Sequence, residues 1–345
     1  MTLVSVVIPA HNCEAYIESA IISVLGQNRA DLELIVVDDG STDGTLQALA
    51  PYRDALRVIS QQNQGVAAAR NSGLRIARGE FVAFLDADDW WLPTRLSAQF
   101  AALDAFPCAG LVFSDFCVAD ASGAELMARG IRWKYRFVRD PASTPWHQLF
   151  LESAAIRWND AALATREARA YFGKVARSLF HGNFINTSSV LVRRDAILRV
   201  GGFDESLGTE EDYDCWLKLS REWPLLYVDA PLVGFRRRSG QLTRPDQLER
   251  VSRNAIKVVQ RAAQRMAGEV APKEVQTRLS ILHRDIGIIC LRARRNREAR
   301  NHLWSSLRGR PNQLIVIGLL AISCLPAGLL LHLERARLAF KRRST

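Results

Sequence analysis

Several common nucleotide-binding signatures are missing from this sequence of 345 residues. Neither GxxxxGK(S/T) nor GxGxxG occurs, which excludes a phosphate-loop NTPase and a dinucleotide-binding fingerprint. The six cysteines show no C-x-x-C spacing, and the N-terminal MTLVSVVIPAHN lacks a basic stretch followed by an apolar core and a cleavage site. We therefore expect a protein of the reducing cytoplasm.

The composition is that of a globular protein whose positive charge is unevenly distributed. Hydrophobic residues make up 48% and charged residues 24% of the chain, which suffices for a substantial core. The formal net charge is +10, yet residues 1–110 hold 7 Lys/Arg against 13 Asp/Glu. Residues 291–345 hold 12 Lys/Arg against 2 Glu, so the basic excess belongs to the C-terminal region.

Apolar runs alternate with amphipathic stretches through the first 115 residues. The runs at 3–9, 32–38, 56–60, 81–86 and 110–115 predict strands, and the segments at 14–27, 43–50, 65–78 and 93–105 predict helices. This alternation predicts a mostly parallel sheet with helices on both faces. We further predict helices and loops over 120–180, a return to the sheet at 186–194 and helices over 247–307.

The predicted strands end in polar residues. The segments after three of them are PAHN, DDGSTD and DADD, and two of these carry neighbouring carboxylates. A fourth, GLVFSD, ends in a further aspartate. Ligands of parallel sheets gather at the carboxyl ends of the strands. Since carboxylates at one edge repel one another unless a cation lies between them, the pattern predicts a nucleotide-and-metal cleft.

Five motifs occur in a fixed order: VSVVIPAHN, VVDDGSTDGT, GVAAARNSGL, GEFVAFLDADD and GGFDESLGTEEDYDCWLKL. Over roughly residues 3–240 the set resembles the family 2 glycosyltransferases. The resemblance implies the GT-A fold, an α/β Rossmann-like, mostly parallel mixed sheet flanked by helices. It also implies a sugar nucleotide donor, a divalent Mg²⁺ or Mn²⁺ ion and inversion at the anomeric carbon. We divide the chain into a catalytic domain at 1–240, a helical extension at 241–310 and an apolar, basic, membrane-associating tail at 311–345.

The DADD segment holds the expected metal site. Hard divalent cations prefer oxygen ligands, and Mg²⁺ is usually bound by one or two carboxylates together with phosphates. The resemblance assigns Asp88 to the metal and Asp86 to the ribose or a metal-bound water, and Asp89 could replace either in the metal role. The alternative is an Asp-rich cap before the helix that follows WLP.

The end of the second strand is the expected base-recognition site. The resemblance places the base-reading aspartate at Asp39, beside Asp38, with Pro9 and Asn12 lining the same pocket. A carboxylate there accepts the imide N–H of uracil or thymine, which favours a UDP- or dTDP-sugar. Ser41 and Thr42 of the same segment also suit capping of the next helix.

Two further segments match donor-binding and catalytic positions. Arg70 and Asn71 match residues at the donor edge, near the ribose or phosphate. An inverting transfer needs one base to take the proton of the acceptor hydroxyl, and the resemblance places it at Asp212, preceded by Glu211. The alternative for this acidic cluster is the first turn of a helix.

The segment FRRRSGQLT departs from the family pattern. Arg236 matches the family's diphosphate-binding arginine, whereas Arg238 stands where the family has a histidine that completes the metal shell. Either the metal has one protein ligand fewer, or Arg236 and Arg238 supply part of the positive charge. Arginine suits phosphate oxygens because its planar fork donates two parallel hydrogen bonds.

The tail contains LIVIGLLAISCLPAGLLL, 18 uncharged residues from Leu314 to Leu331. This length is at the lower edge of a membrane span, and arginines lie on both sides of it. Because positive flanks prefer the cytoplasmic face, we expect a hairpin or interfacial helix pair on the inner face of the cell membrane, peripheral or monotopic. The alternative is a buried helix pair.

Three functions remain to be compared. The first is a metal-dependent, hexosyltransferase-type glycosyltransferase that acts on a glycan or lipid-linked hydroxyl in cell-surface polysaccharide synthesis. The second is a nucleotidyltransferase acting on sugar phosphates, but VVIPAHN lacks the glycine-rich, basic loop that such an enzyme needs. The third is a non-catalytic basic protein that binds membrane or nucleic acid. We expect no nucleic-acid partner, because the positive charge surrounds an apolar segment rather than a polar groove.

Overall fold

The computed structural model of the protein describes residues 3–27, 31–134, 146–159, 164–238 and 247–324. The chain forms two compact units, Met1–Gln241 and Leu242–Thr345. The first unit is a mixed sheet flanked by helices, and the second is helical. The finer division into a catalytic domain, a helical extension and a tail stays a prediction.

The described part of the first unit contains eleven strands in one sheet. In chain order they are β1 (Val4–Ala10), β2 (Leu32–Asp38), β3 (Arg57–Ser60), β4 (Phe81–Phe84), β5 (Trp90–Trp91), β6 (Leu111–Ala119), β7 (Glu125–Met127), β8 (Glu152–Asn159), β9 (Thr165–Gly173), β10 (Leu191–Arg193) and β11 (Leu225–Arg236). Nine of them lie side by side in the order β3-β2-β1-β4-β10-β6-β11-β9-β8, while β5 pairs with β11 and β7 with β6.

Parallel pairing brings several strand ends to one edge of the sheet. The strands β3, β2, β1 and β4 are parallel to one another, and β11 is parallel to β6. Between these two groups β10 runs antiparallel to both β4 and β6. The predicted mostly parallel α/β sheet is confirmed. Its central strands β1 and β4 are apolar except for the buried Ser5, because both of their faces are covered.

The helices of the first unit cover the sheet. They are α1 (Ile17–Leu25), α2 (Thr45–Ala48), α3 (Val66–Ile76), α4 (Arg95–Ala105), α5 (Ile131–Lys134), α6 (Trp146–Leu149), α7 (Ala176–His181), α8 (Arg194–Arg199) and α9 (Glu211–Glu222). Short 3-10 turns lie at Ala50–Tyr52 and Thr187–Ser189. Close packing of α3 on β1 depends on Gly73, because a β-carbon there would overlap the side chain of Val7.

The prediction of helices and loops over 120–180 was wrong for three segments, of which β7 pairs antiparallel with β6. Strands β8 and β9 form an antiparallel hairpin that adds to the edge of the sheet beside β11. Both strands have exposed polar residues near their free ends, including the ion pair between Arg157 and Glu167. An edge hairpin needs no continuous apolar run, so its strands lack the pattern that identified the buried ones.

The second unit consists, in its described part, of four helices. They are α10 (Leu248–Arg265), α11 (Pro272–Arg292), α12 (Asn296–Gly309) and α13 (Leu314–Ser323). The carboxylates of Glu249 and Glu298 pair with Arg253 and Arg295, which joins α10 to α12. The predicted helical character of 247–307 is confirmed.

The apolar helix α13 covers the first ten residues of the predicted membrane-associating segment. Its Leu314 and Ile315 side chains are 85% and 76% exposed, whereas Val316 is buried. In the described residues, no helix combines the length and the apolar character that crossing a bilayer requires. The remainder of the segment, 325–331, lies outside the described residues.

Candidate active site

The candidate site lies where β1, β2 and β4 end, and the end of β11 and the start of α9 complete it. Backbone hydrogen bonds hold the strand ends in place, with the Asp39 amide donating to Ala10 and the Leu85 amide donating to Val7. Parallel register therefore places Ala10 opposite Asp38 and Val7 opposite Phe84, although these partners are 28 and 77 residues apart in the sequence.

Asn12 and Asp38 organise the loop that follows β2. The side-chain oxygen of Asn12 accepts a hydrogen bond from the backbone amide of Thr42 at 2.8 Å. The backbone amide of Asn12 donates to Ser41 Oγ at 3.0 Å. Asp38 is buried and accepts from the Ser41 amide at 3.2 Å. Asn12 adopts a positive φ of 48°, a conformation that asparagine tolerates better than most residues. Pro9 lies in β1, opposite Val37 of β2.

Asp39 is buried and bound by three donors. Its Oδ1 accepts from the side-chain amide of Gln61 at 2.8 Å and from the Gln64 amide at 2.9 Å, and its Oδ2 accepts from the Gly65 amide at 2.8 Å. Asp39 therefore holds the start of α3 against the end of β2. A carboxylate has about four acceptor positions, which leaves room for one further hydrogen bond.

The three aspartates of DADD have different surroundings. Asp86 is about a third exposed and accepts from Arg70 Nη2 at 2.7 Å. Asp88 is mostly buried and accepts from Arg238 Nε at 2.7 Å. Asp89 is fully enclosed and accepts from Ser188 Oγ at 2.6 Å and from the Arg236 amide at 3.0 Å.

Burial raises the pKa of Asp89 well above its usual range, and the charges of Asp88 and Asp86 act in the same direction. Both of its oxygens face protein donors. This placement favours a structural role for Asp89, and we assign the metal to Asp86 and Asp88 in the proposals below.

Arg70 and Asn71 connect α3 with the rest of the site. The buried guanidinium of Arg70 bridges Asp86 and Glu211, with 2.7 Å to each, and these two carboxylates raise its pKa against the effect of burial. Asn71 donates to the carbonyl of Phe203 and accepts from the amide of the same residue, which ties α3 to the GGFDE loop.

Glu211 and Asp212 begin α9. Burial raises the pKa of Glu211 to about 7, while Arg70 acts in the opposite direction. Asp212 is less enclosed, and its Oδ2 accepts from Thr187 Oγ1 at 3.0 Å. The two acids therefore have different surroundings. Glu211 forms a buried ion pair with Arg70, whereas Asp212 is the more exposed of the two.

The turn Thr187–Ser189 joins two parts of the site, and the sequence analysis missed it. Asn186 caps the turn by accepting from the Ser188 amide at 3.0 Å. Ser188 donates to Asp89 and accepts from the Asp86 amide, while Thr187 donates to Asp212. The sequence feature that could have identified this turn is the hydroxyl-rich run NTSS, which precedes the short strand β10.

Aromatic rings surround the arginines after β11. Arg236 Nε donates to the carbonyl of Asp88 at 3.0 Å, and its guanidinium lies 4.8 Å from the Trp90 ring centroid. The Tyr16 centroid is 5.2 Å from the guanidinium carbons of both Arg236 and Arg238. Gly234 allows this arrangement, because a β-carbon there would overlap the Trp90 ring.

Lys134, at the end of α5, also belongs to the site and was not identified from the sequence. Its Nζ lies 4.0 Å from the ring centroid of Phe235. Burial lowers the pKa of Lys134, and the carboxylates of Asp89, Asp86 and Asp212 act to raise it. Asp115, which the sequence analysis placed at the end of a strand, lies in the middle of β6 because that strand continues to Ala119, and it accepts from the amides of residues 130 and 131.

The oxygen ligands at Asp86 and Asp88 suit a divalent ion. They are carboxylates two residues apart after a buried strand, which is the ligand type that Mg²⁺ and Mn²⁺ prefer. Arg70 and Arg238 each bind one oxygen of these groups. In ligand type and spacing the two carboxylates therefore fit such an ion, with Arg70 and Arg238 as competing cations.

Comparison with known proteins gives one family and a set of similar chains. The model of glycosyl transferase family 2 matches residues 5–179. An uncharacterized glycosyltransferase of Rickettsia conorii is 28% identical over 243 residues, which cover 70% of this chain and 35% of that protein. The UDP-Glc:alpha-D-GlcNAc-diphosphoundecaprenol beta-1,3-glucosyltransferase WfaP of Escherichia coli is 41% identical over 101 residues, covering 29% of this chain and 40% of that protein. The chain thus spans less than half the length of these two relatives.

Two solved structures show the same fold. TarS 1-349 of S. aureus in complex with UDP-GlcNAc has 17% identity and a TM-score of 0.52, over 89% of each chain. The mannosyltransferase PcManGT of Pyrobaculum calidifontis in complex with GDP-Man and Mn²⁺ has 20% identity and a TM-score of 0.53, over 93% of this chain and 79% of that one. The predicted GT-A fold is confirmed.

Proposed function

Because the chain belongs to glycosyl transferase family 2, we propose that it is an inverting glycosyltransferase. It transfers a sugar from a nucleotide-sugar donor to a hydroxyl group of a glycan or lipid-linked acceptor in cell-surface polysaccharide synthesis. One observation supports this proposal above others. Arg70 bridges Asp86 to Glu211, and Ser188 and Thr187 connect the DADD segment to Asp212, so one hydrogen-bond network joins the residues proposed for the donor site to the proposed base.

The donor is proposed to be a UDP- or dTDP-sugar. Asp39 has one acceptor position left beyond its three protein donors, which suits the single imide N–H of uracil or thymine. Asp38, Pro9 and Asn12 lie at the same strand ends and form the wall of this pocket. The UDP-GlcNAc bound in the TarS structure supports a uridine donor for a chain of this fold.

The diphosphate of the donor lies, in this proposal, between the DADD segment and Arg236. When bound at Asp88 and Asp86, Mg²⁺ or Mn²⁺ supplies positive charge to the leaving nucleoside diphosphate. Arg236 is held by the carbonyls of Asp88 and Ala121, so its guanidinium is preorganised for the same charge.

Asp212 acts as the general base that takes the proton from the acceptor hydroxyl. Glu211 is unsuited to this step, because Arg70 binds it in a buried ion pair. Thr187 donates to Asp212 Oδ2 and thereby sets the orientation of the carboxylate.

We also propose that the tail associates with the inner face of the cell membrane. The exposed apolar side chains of α13 follow the exposed cations Arg308 and Arg310 along the chain. Apolar insertion and attraction to anionic lipid act together in such a segment. Family membership argues against both the nucleotidyltransferase and the non-catalytic hypotheses.

Two substitutions test the function. With UDP- or dTDP-sugars and Mn²⁺, we expect Asp212→Asn to lower kcat by about 10² to 10⁴-fold, the usual contribution of a general base. Asp88→Ala is expected to abolish transfer and weaken donor binding, whereas Asp212→Asn still binds donor in a thermal-shift titration.

The matched control is Glu222→Gln, which removes an exposed charge at the far end of α9 and should leave turnover unchanged. Undiminished turnover in Asp212→Asn would contradict the assignment of the base. Failure of every nucleotide diphosphate to raise the melting temperature of the wild-type chain would contradict the donor.

A further inference from the structure

Arg238 binds the carboxylate to which the divalent ion is assigned. Its Nε lies 2.7 Å from Asp88 Oδ2, and the side chains of the two residues are only 20% and 13% exposed. The Tyr16 ring lies 5.2 Å from the guanidinium carbon on another side. This is a charge-assisted hydrogen bond in a largely enclosed position, which is stronger than an ion pair at an open surface.

A divalent ion and Arg238 compete for Asp88. Two cations in contact with one carboxylate repel each other, and the repulsion is weakly screened where little water enters. Asp86 offers no independent site, because Arg70 binds it in the same way at 2.7 Å. Without a donor present, the charges of Asp86 and Asp88 are therefore already balanced by two guanidinium groups.

Arg236, the last residue of β11, and Arg238, two residues later, differ in the groups that accept hydrogen bonds from their side chains. Arg236 donates from its side chain to two carbonyls, those of Asp88 and Ala121. Arg238 instead donates to a carboxylate, so it can exchange this anion for another. The oxygens of a diphosphate match its planar fork as well as a carboxylate does.

We propose that Arg238 occupies the cation position at Asp88 in the donor-free protein and moves to the diphosphate when the donor binds. A divalent ion then enters together with the nucleotide diphosphate rather than before it. This inference rests on the proposed function, because it places the donor diphosphate beside DADD. It assigns Arg238 to donor binding and to control of metal access.

The first test measures Mn²⁺ binding without nucleotide, by the electron paramagnetic resonance signal of free Mn²⁺. We expect Arg238→Gln to bind Mn²⁺ about tenfold or more tightly than the wild type, because a positive charge beside Asp88 is removed. Arg238→Lys retains the charge and should resemble the wild type. The matched control is Arg237→Gln, which removes an exposed neighbouring charge that lies 5.2 Å from the Trp133 ring. Equal Mn²⁺ affinity in Arg238→Gln and Arg237→Gln would overturn the inference.

The second test measures UDP affinity by isothermal titration in the presence of Mn²⁺. We expect Arg238→Gln to bind UDP more weakly than the wild type by about tenfold, as for the loss of one charge-assisted contact. Unchanged UDP affinity would contradict the assignment of Arg238 to the diphosphate. If neither UDP nor dTDP binds the wild type, the donor of the proposed function is wrong. The nucleotide-free Mn²⁺ measurement would still decide whether Arg238 blocks the metal.

Discussion

Carboxylates of one chemical type acquire different properties in this site through their neighbours. Asp89 is enclosed beside two other aspartates, and its pKa is raised. Glu211 is also enclosed, and its pKa is raised to about 7. Asp39 instead accepts three hydrogen bonds from donors that position a helix. Asp212 is the acid that combines partial exposure with a hydroxyl donor, and these two features suit a base that must meet a substrate.

The hydrogen bond from Thr187 to Asp212 yields a prediction at the scale of a single residue. Thr187→Val keeps the shape of the side chain and removes the donor at 3.0 Å. We expect kcat to fall by about tenfold with little change in the KM for the donor, because a hydrogen bond to a charged group is worth about 1.5 kcal/mol.

Thr187→Ser provides the control, because it restores the hydroxyl and should recover most of the lost kcat. A kcat of Thr187→Val equal to that of the wild type, or a loss that Thr187→Ser does not recover, would contradict the prediction.

At the scale of elements, short segments outside the central strands hold the chemistry together. The turn Thr187–Ser189 links the DADD segment to α9, and β5 pairs with β11 so that Trp90 lies over Gly234 and beside Arg236.

Helix α13 differs from the other helices because its exposed side chains are apolar. Neighbouring exposed apolar side chains indicate an interaction surface, and we have proposed that its partner is a membrane with anionic lipid.

A vesicle-binding experiment tests α13. We expect the double variant Leu314→Ser and Ile315→Ser to co-sediment less with phosphatidylglycerol vesicles than the wild type, because two exposed apolar side chains are lost. Deletion of residues 311–345 should lower binding further. Binding of the wild type should also decrease at high salt, which screens the attraction between Arg308, Arg310 and the lipid.

The matched control is Ile22→Ser with Leu25→Ser, two exposed apolar residues of α1 in the other unit. This variant should bind vesicles like the wild type. Equal loss in the control and in the α13 variant, or a wild type that stays in the supernatant, would contradict the membrane proposal.

For the whole molecule, the two units carry buried ionisable groups whose pKa values shift stability in opposite directions. In the first unit, Glu211 has a pKa raised to about 7. In the second, His283 and His302 face each other with 2.9 Å between their Nδ1 atoms, and burial lowers the pKa of both. Arg253, Glu298, Glu249 and Arg295 are the charged groups that act on His302, and His302 itself acts on His283.

We expect the first unit to lose stability as pH rises from about 4.5 through about 7, because the unfolded chain releases the Glu211 proton first. The second unit should lose stability as pH falls below about 6.5, because the unfolded histidines bind protons more readily than the folded ones. Differential scanning calorimetry across pH 5 to about 8 measures both effects.

Variants separate the two contributions. Glu211→Gln should reduce the loss of stability of the first unit between about pH 4.5 and about 7, and the double variant His283→Gln and His302→Gln should reduce the loss of stability of the second unit below about pH 6.5. Glu222→Gln, at the exposed end of α9, is the control for the first substitution. An unchanged pH response in Glu211→Gln would contradict the role given to Glu211.

Much of the fold was predictable because its signals are local. The apolar runs of β1, β2 and β4 need no partner to be recognised, and each lies within a few residues of its predicted bounds. The β8–β9 hairpin was missed because an edge pair mixes exposed and buried positions, as the exposed ends of both strands do. Its identity depends on pairing with β11, which no local pattern encodes.

By itself, the sequence determined the α/β class, the positions of β1, β2 and β4 along the chain and the set of acids that follow these strands. These follow from local apolar periodicity and from the topology of parallel sheets. Only the tertiary structure decided which of these groups are neighbours. Arg238 meets Asp88 across 150 residues, and Thr187 meets Asp212 across 25. Such contacts depend on the register and packing of several elements at once, and they determine which carboxylate is buried, which is paired with arginine and which lies at the more open side of the site.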